Sequence, residues 1–135
     1  MLDVCLKCGA EGQLLFNELG DVAEYRSFTN AMLELDRSIR CVAILNDKGE
    51  MEASRMKPGS IPPVYLDQQF GFRVLLVNGL GKTLGETGFG SVHYTVIKYD
   101  HASLCFLSNP QRVVLVICEP NINHELLERV RESFE

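Results

Sequence analysis

The sequence predicts an α/β protein of the α+β type, built as a three-layer α/β/α sandwich around one five-stranded antiparallel sheet. Three observations predict it. Apolar residues recur at helical spacing in three separate stretches, near 21–36, 61–80 and 123–134. The strand-like runs between them come as a pair and a trio, each joined by turns too short for anything but antiparallel neighbours. Two of these runs, 39–45 and 113–118, are apolar on both sides and therefore need cover on both faces of the sheet.

Residues 1–20 read as an N-terminal lead-in, with Leu14-Leu15-Phe16 an apolar patch between Gly12 and Gly20, and 21–135 as the domain proper. Asp21 is a helix N-cap, because its carboxylate can accept one of the unpaired N–H groups of a first turn. Val22, Tyr25, Phe28, Met32 and Leu35 then share one helical face, and Asp36-Arg37-Ser38 ends the helix. The run 39–45 is a strand. Asn46-Asp47-Lys48-Gly49 turns it back into 50–55, whose apolar positions alternate. Ser60 can cap a second helix over 61–80 that tolerates Pro62 and Pro63 in its first turn. Leu66, Phe70, Val74 and Val77 form one stripe of this helix, and Tyr65, Phe72, Leu76 and Leu80 a second beside it. The two together span about 200°, roughly twice the minimum for a helix that buries one side. Such a sector needs two bodies to cover it.

Glycines at 79, 81, 85, 88 and 90 mark a loop, followed by strands at 91–99, 102–108 and 112–118. Tyr99-Asp100-His101 and Asn109-Pro110-Gln111 are the hairpin connections. Asn123 caps the last helix, Ile122 staples onto Leu127, and Leu126, Leu127, Val130 and Phe134 face inward, with Glu125 and Arg129 paired outside. The element order is α-β-β-α-β-β-β-α. Placing the two fully apolar strands side by side gives spatial order 2-1-5-4-3, with the middle helix on one face and the terminal helices on the other.

Composition excludes several function classes. With 13 Lys and Arg against 18 Asp and Glu the 135-residue chain carries a net charge of −5, and it has no basic run, so a broad nucleic-acid surface is not expected. No apolar run approaches the length of a membrane span, and Met1-Leu2-Asp3-Val4-Cys5 lacks the basic and apolar regions of a signal peptide. Five cysteines, three of them inside apolar strands, then suggest free thiols in a reduced, cytoplasmic protein. Cys5-Leu6-Lys7-Cys8 is a CxxC, but no second CxxC or HxxxH follows to complete four zinc ligands. Three readings stay open for it: a plain lead-in with two thiols, half of a zinc site finished by scattered His residues or a second copy, and a redox dithiol.

Gly79-Leu80-Gly81-Lys82-Thr83 resembles the end of a phosphate loop, yet Leu76 stands where GxxxxGK[ST] requires the first glycine. His93, His101 and His124 show no metal-ligand spacing, and Glu50, Glu52, Glu125, Glu128 and Glu132 belong to solvated faces. No catalytic residue, cofactor site or metal site is expected.

The run Leu35-Asp36-Arg37-Ser38-Ile39-Arg40 leading into the first strand, the turn Asn46-Asp47-Lys48-Gly49, and Leu80-Gly81-Lys82-Thr83-Leu84 after the long helix carry a resemblance. Over residues 21–135 the chain resembles the roadblock/dynein-light-chain domain, within the wider longin and profilin-like group. More closely, it resembles small stand-alone roadblock-like proteins of ammonia-oxidising archaea. The segment 85–90 is richer in glycine than that pattern. The resemblance implies a non-enzymatic regulatory or scaffolding domain. It would pair with a second copy through the long helix and the adjoining edge strand, and bind a protein partner such as a small GTPase. Carried onto this chain, it places Tyr65, Gln69, Phe72, Arg73, Leu76 and Leu80 at the interface. The alternative is a PAS- or profilin-like small-molecule sensor, with 79–90 as the lid of its pocket.

Overall fold

A computed structural model describes residues 16, 19–58 and 68–134. The elements run α1 (Val22–Leu33), β1 (Ile39–Asn46), β2 (Met51–Met56), α2 (Gln68–Leu84), a π-turn (Gly85–Phe89), β3 (Thr95–Lys98), β4 (Ser103–Ser108), β5 (Arg112–Cys118) and α3 (His124–Phe134). All pairings are antiparallel, and the strand order is β2-β1-β5-β4-β3. Both the element order and the strand order are those the sequence predicts.

The two faces of the sheet follow from strand alternation. On one face Val42, Ile44, Cys105, Leu107, Val114, Val116 and Cys118 pack under α1 and α3, against Tyr25, Phe28, Met32, Leu126 and Val130. On the other, Cys41, Ala43, Leu45, Leu104, Phe106, Val113, Leu115 and Ile117 pack under α2. A register irregularity between Ile39 and Cys41 turns Ile39 onto the same face as Val42. Phe16, from the lead-in, is buried in the first cluster, its ring stacked on Phe134 at 4.9 Å and tilted against Phe28 at 5.1 Å.

At α1, Asp21 has extended backbone and its Oδ1 accepts from the Glu24 N–H at 2.8 Å. Glu24 in turn accepts from the Gly20 N–H at 2.7 Å. Replacing Asp21 by Ala should therefore lower stability by about 1 kcal/mol, read from the urea midpoint. The buried face is Tyr25, Phe28, Thr29, Met32 and Leu33. Val22 is exposed instead, because the face turns past it at the helix start, and Leu35 lies beyond the helix end, half-buried.

In the β1–β2 turn the Asn46 side chain accepts from the Lys48 and Glu50 N–H groups, both at 2.9 Å, and Gly49 takes φ 82°. Asn123 Oδ1 accepts from the Leu126 N–H at 2.8 Å and starts α3. The guanidinium of Arg129, expected beside Glu125, donates to the Leu35 carbonyl and lies 3.9 Å from Asp36 Oδ1, so it ties α3 to the end of α1. Ser38, through its hydroxyl and its N–H, holds the Asp36 carboxyl below the usual range.

Two boundaries differ from expectation. The start of the predicted 61–80 helix lies outside the described residues, and α2 continues past 80 to Leu84, then into the π-turn as far as Phe89. Glycine weakens a helix without forbidding it. Gly85 is moreover required where it stands, since a Cβ there would lie 2.3 Å from the Gly90 carbonyl oxygen. The chain reverses at Gly88 and Gly90, with φ 119° and 92°, and needs the residues up to Tyr94 to return to the sheet edge. β3 is accordingly four residues long rather than the predicted nine.

Candidate protein-interaction face

The candidate face is the outer side of α2, and its geometry begins with how the inner side is held. Gly71, Val74, Asn78 and Gly85 are buried, with Phe70, Leu75 and Val77 half-buried against the sheet. Asn78 Nδ2 donates to Ser108 Oγ at 3.2 Å, which gives this polar side chain a partner beneath the helix. Gly71 passes directly over the hairpin tip: a Cβ there would sit 2.0 Å from the Gly49 carbonyl oxygen. The helix and the turn meet backbone to backbone, which fixes how close α2 lies to the sheet.

With the inner side fixed in this way, the second stripe has nowhere to go but outward. Phe72 is 58% exposed, Leu76 57%, Leu80 66% and Leu84 63%, one residue per turn along the helix. Phe89 continues the line from the π-turn at 85% exposure. A Cβ on Gly81 would lie 3.4 Å from Thr95 Oγ1, so the C-terminal half of α2 runs beside β3. β3 pairs with β4 on one side and is one of the two edges of the described sheet; Ile97 shares the α2 side with Leu104, while Val96, opposite Cys105, points to the α1 and α3 side. The free backbone edge of β3 therefore lies beside the C-terminal half of the helix.

Of the predicted interface residues, Gln69, Phe72, Arg73, Leu76 and Leu80 all lie exposed on this side of α2, and Tyr65 lies outside the described residues. Gln69, Phe72 and Arg73 line one shallow hollow together with Lys48 from the β1–β2 turn. Leu84, Phe89 and Lys48 were not predicted. Leu84 continues the four-residue spacing of 72, 76 and 80, a signal hidden when the glycines are read as a loop. Lys48 arrives from a distant element and left no local signal.

The other chemistry-bearing motifs are differently placed. Gly79-Leu80-Gly81-Lys82-Thr83 is helix, and the Thr83 hydroxyl donates to the Gly79 carbonyl at 3.0 Å, so its backbone N–H groups form no phosphate-cradling nest. Cys5 and Cys8 lie outside the described residues. His93, His101 and His124 are exposed, with His124 Nε2 3.9 Å from Glu128. Among the described residues no three His, Cys, Asp or Glu side chains are grouped to hold a metal ion, and no helix is long and apolar enough to cross a membrane. Burial pushes the Cys105 and Cys118 thiols up to about 12 and raises Cys41 as well, so all three stay protonated and behave as apolar filling. Arg112 bonds Glu52 at 2.6 Å and stacks over the Tyr25 ring at 4.9 Å, and Arg40 grips Glu119 through two nitrogens, at 2.8 and 2.6 Å. Arg112 thus links β5 to β2 across β1 and to α1, and Arg40 links β1 to the end of β5.

No protein-family model and no curated protein matches the sequence. Solved structures match the fold. MglB in a tetrameric arrangement superposes with a TM-score of 0.68 at 13% identity, over 86% of this chain and 89% of its own. The gliding protein MglB from Thermus thermophilus gives 0.67 at 12%, over 86% and 90%. A Roadblock/LC7 domain from Streptomyces avermitilis gives 0.64 at 12%, over 81% and 89%. The chain has the roadblock fold. At such low identity, what the roadblock likeness carries over is the architecture: five antiparallel strands with, among the described residues, one long helix on one face and two helices on the other.

Proposed function

We propose that this roadblock-like domain is a non-enzymatic, cytoplasmic regulatory platform that pairs with a second copy through α2 and β3 and binds a protein partner, a small GTPase being the leading class. The interface comprises Tyr65, Gln69, Phe72, Arg73, Leu76 and Leu80, extended by Leu84. One observation carries the reading: four large apolar side chains, each more than half exposed, stand in line on a helix whose opposite side is already occupied. Burying any one of them fully is worth about 1.5–3 kcal/mol, and contiguous patches of this kind mark interaction surfaces. The sensor reading is weaker, because the segment it needs as a lid is the end of α2 and the π-turn.

Light scattering across micromolar concentrations tests the proposal. The chain should run as a dimer, and Phe72→Glu or Leu76→Glu should weaken association by about 30-fold or more, as a central apolar contact does. The far-UV spectrum and the unfolding midpoint of the monomeric variant should stay close to those of the parent monomer. A parent that is monomeric at every concentration, or variants that unfold, would overturn the reading.

A further inference from the structure

β2 is the other edge of the described sheet, and β1 uses only half of its backbone. The Lys57 N–H donates to the Arg40 carbonyl and the Asn46 N–H to the Glu50 carbonyl, both at 2.9 Å. Between these bonds Val42 stands opposite Arg55 and Ile44 opposite Ala53. The alternation of an antiparallel pair then turns the backbone groups of Ala53, Arg55 and Lys57 toward β1. Those of Ser54 and Met56 point away from the sheet, and among the described residues no backbone group meets them. The side chains leave this edge open. Ser54, Arg55 and Met56 are exposed, and a hollow between Asn30 and Glu34 of α1 and Arg55 runs beside it.

Charges on an edge strand usually deter pairing. Here they are sorted by sign: Glu50 and Glu52 stand at one end, Arg55 and Lys57 at the other, with Met51 and Met56 in matching places. Arg55 has no ion-pair partner among the described residues, Lys57 donates to the Asp36 carbonyl, and Glu50 accepts from the Asn46 amide. Such a strand complements a second copy of itself when the two run antiparallel. With a two-fold axis at Ser54, Ser54 meets its own copy and Ala53 meets Arg55. β2 carries one extra residue, Glu52, at the irregularity facing Ile44 and Leu45. Past it Met51 meets Met56, and Glu50 meets Lys57. The paired residues share a side of the sheet: Met51 and Met56 stand opposite Leu45 and Cys41 on the α2 side, and Ala53 and Arg55 alternate with them on the α1 side. Glu52, held by Arg112 beside Tyr25 of α1, falls next to the copy's Arg55. Moving the axis to Arg55 sets that cation against itself, and moving it to Met56 sets Arg55 against Lys57, which like-charge repulsion disfavours.

We propose that β2 is a self-association edge: two copies join antiparallel about Ser54, one sheet runs through both, and Glu50 faces Lys57 at each end of the contact. The outer side of α2 takes no part in it, so the proposal stands apart from the dimer reading above. Two strands of six residues make a small interface of the weak class, which should form at about 0.1–1 mM rather than in the micromolar range. Light scattering at micromolar concentration and at about 1 mM tests it. Whatever species the parent forms at micromolar concentration, monomer or dimer, should at least double in mass at about 1 mM, and exchange at the Ser54 and Met56 amides should slow. Ser54→Pro removes the outward N–H and leaves the bonds to β1 in place. It should keep the parent's micromolar species and unfolding midpoint and show no growth. Glu50→Lys and Lys57→Glu should each weaken the growth about fivefold or more, and their equimolar mixture should restore it, because both ends are then complementary. If Ser54→Pro unfolds, the charge variants and their mixture decide. A parent of equal mass at both concentrations, a folded Ser54→Pro chain that grows like the parent, or a mixture that fails to recover would overturn the proposal. A parent that is monomeric at micromolar concentration and doubles at about 1 mM brings down the α2 reading and supports this one.

Discussion

Gly71→Val is expected to cost about 3 kcal/mol of stability, at the upper end of what overpacked sites lose. The added Cβ would lie 2.0 Å from the Gly49 carbonyl oxygen and 3.0 Å from its carbonyl carbon, both backbone atoms of a tight turn with no freedom to swing aside. Gly49 itself sits at φ 82°, a conformation that a replacement side chain would strain. Either α2 lifts from the sheet, opening a void over Val74 and Leu115, or the hairpin tip unravels. Gly79→Ala provides the contrast. Nothing lies within 4 Å of a Cβ there, and the substitution should stabilise the helix by up to about 1 kcal/mol. Urea unfolding followed by circular dichroism measures both. Should the two glycines respond alike, the close contact does not govern the position of α2.

Leu115→Ala is expected to cost about 3 kcal/mol, the usual range for a large aliphatic residue lost from a packed core. Leu115 lies in β5 opposite Ala43 on one side and Phe106 on the other, under α2, and is 1% exposed. Leu76→Ala, made on the outer side of the same helix, should change the stability of the monomer by no more than about 0.5 kcal/mol. The comparison requires two protein concentrations. In the dilute sample only Leu115→Ala should matter. In the concentrated one Leu76→Ala should also lower the midpoint, because association stabilises whatever it binds. A Leu76→Ala loss as large as that of Leu115→Ala in the dilute sample would place Leu76 in the core.

The architecture was legible because its signals are local. Strands β1 and β5 are apolar on both sides, the turn Asn46-Asp47-Lys48-Gly49 closes with the side-chain bonds its composition promises, and Asp21 and Asn123 cap as their types suggest. The order β2-β1-β5-β4-β3 then follows from putting the driest strands at the centre. Two stripes on one helix likewise pointed to its outer side, and Phe70, Val74 and Val77 do lie inside while Phe72, Leu76 and Leu80 lie outside.

What escaped was non-local. Gly71 looked like a weak point in a helix, and only the approach of Gly49 from the distant hairpin tip explains it. Gly79, Gly81 and Gly85 looked like a loop, since propensity carries no information about a carbonyl passing where a Cβ would be. Phe16 sits in a stretch with no periodicity, yet it is buried against Phe28 and Phe134, residues that only the folded chain brings to it.

The meeting of Gly49 and Gly71 also has a mechanical consequence. A joint made of side chains can take up motion by switching rotamers; one made of two bare backbones cannot. Any load placed on the exposed flank of α2 is passed undamped to the tip of the β1–β2 hairpin, and through β1 to the middle of the sheet. The hairpin tip is therefore the natural place to listen for whatever settles on the helix.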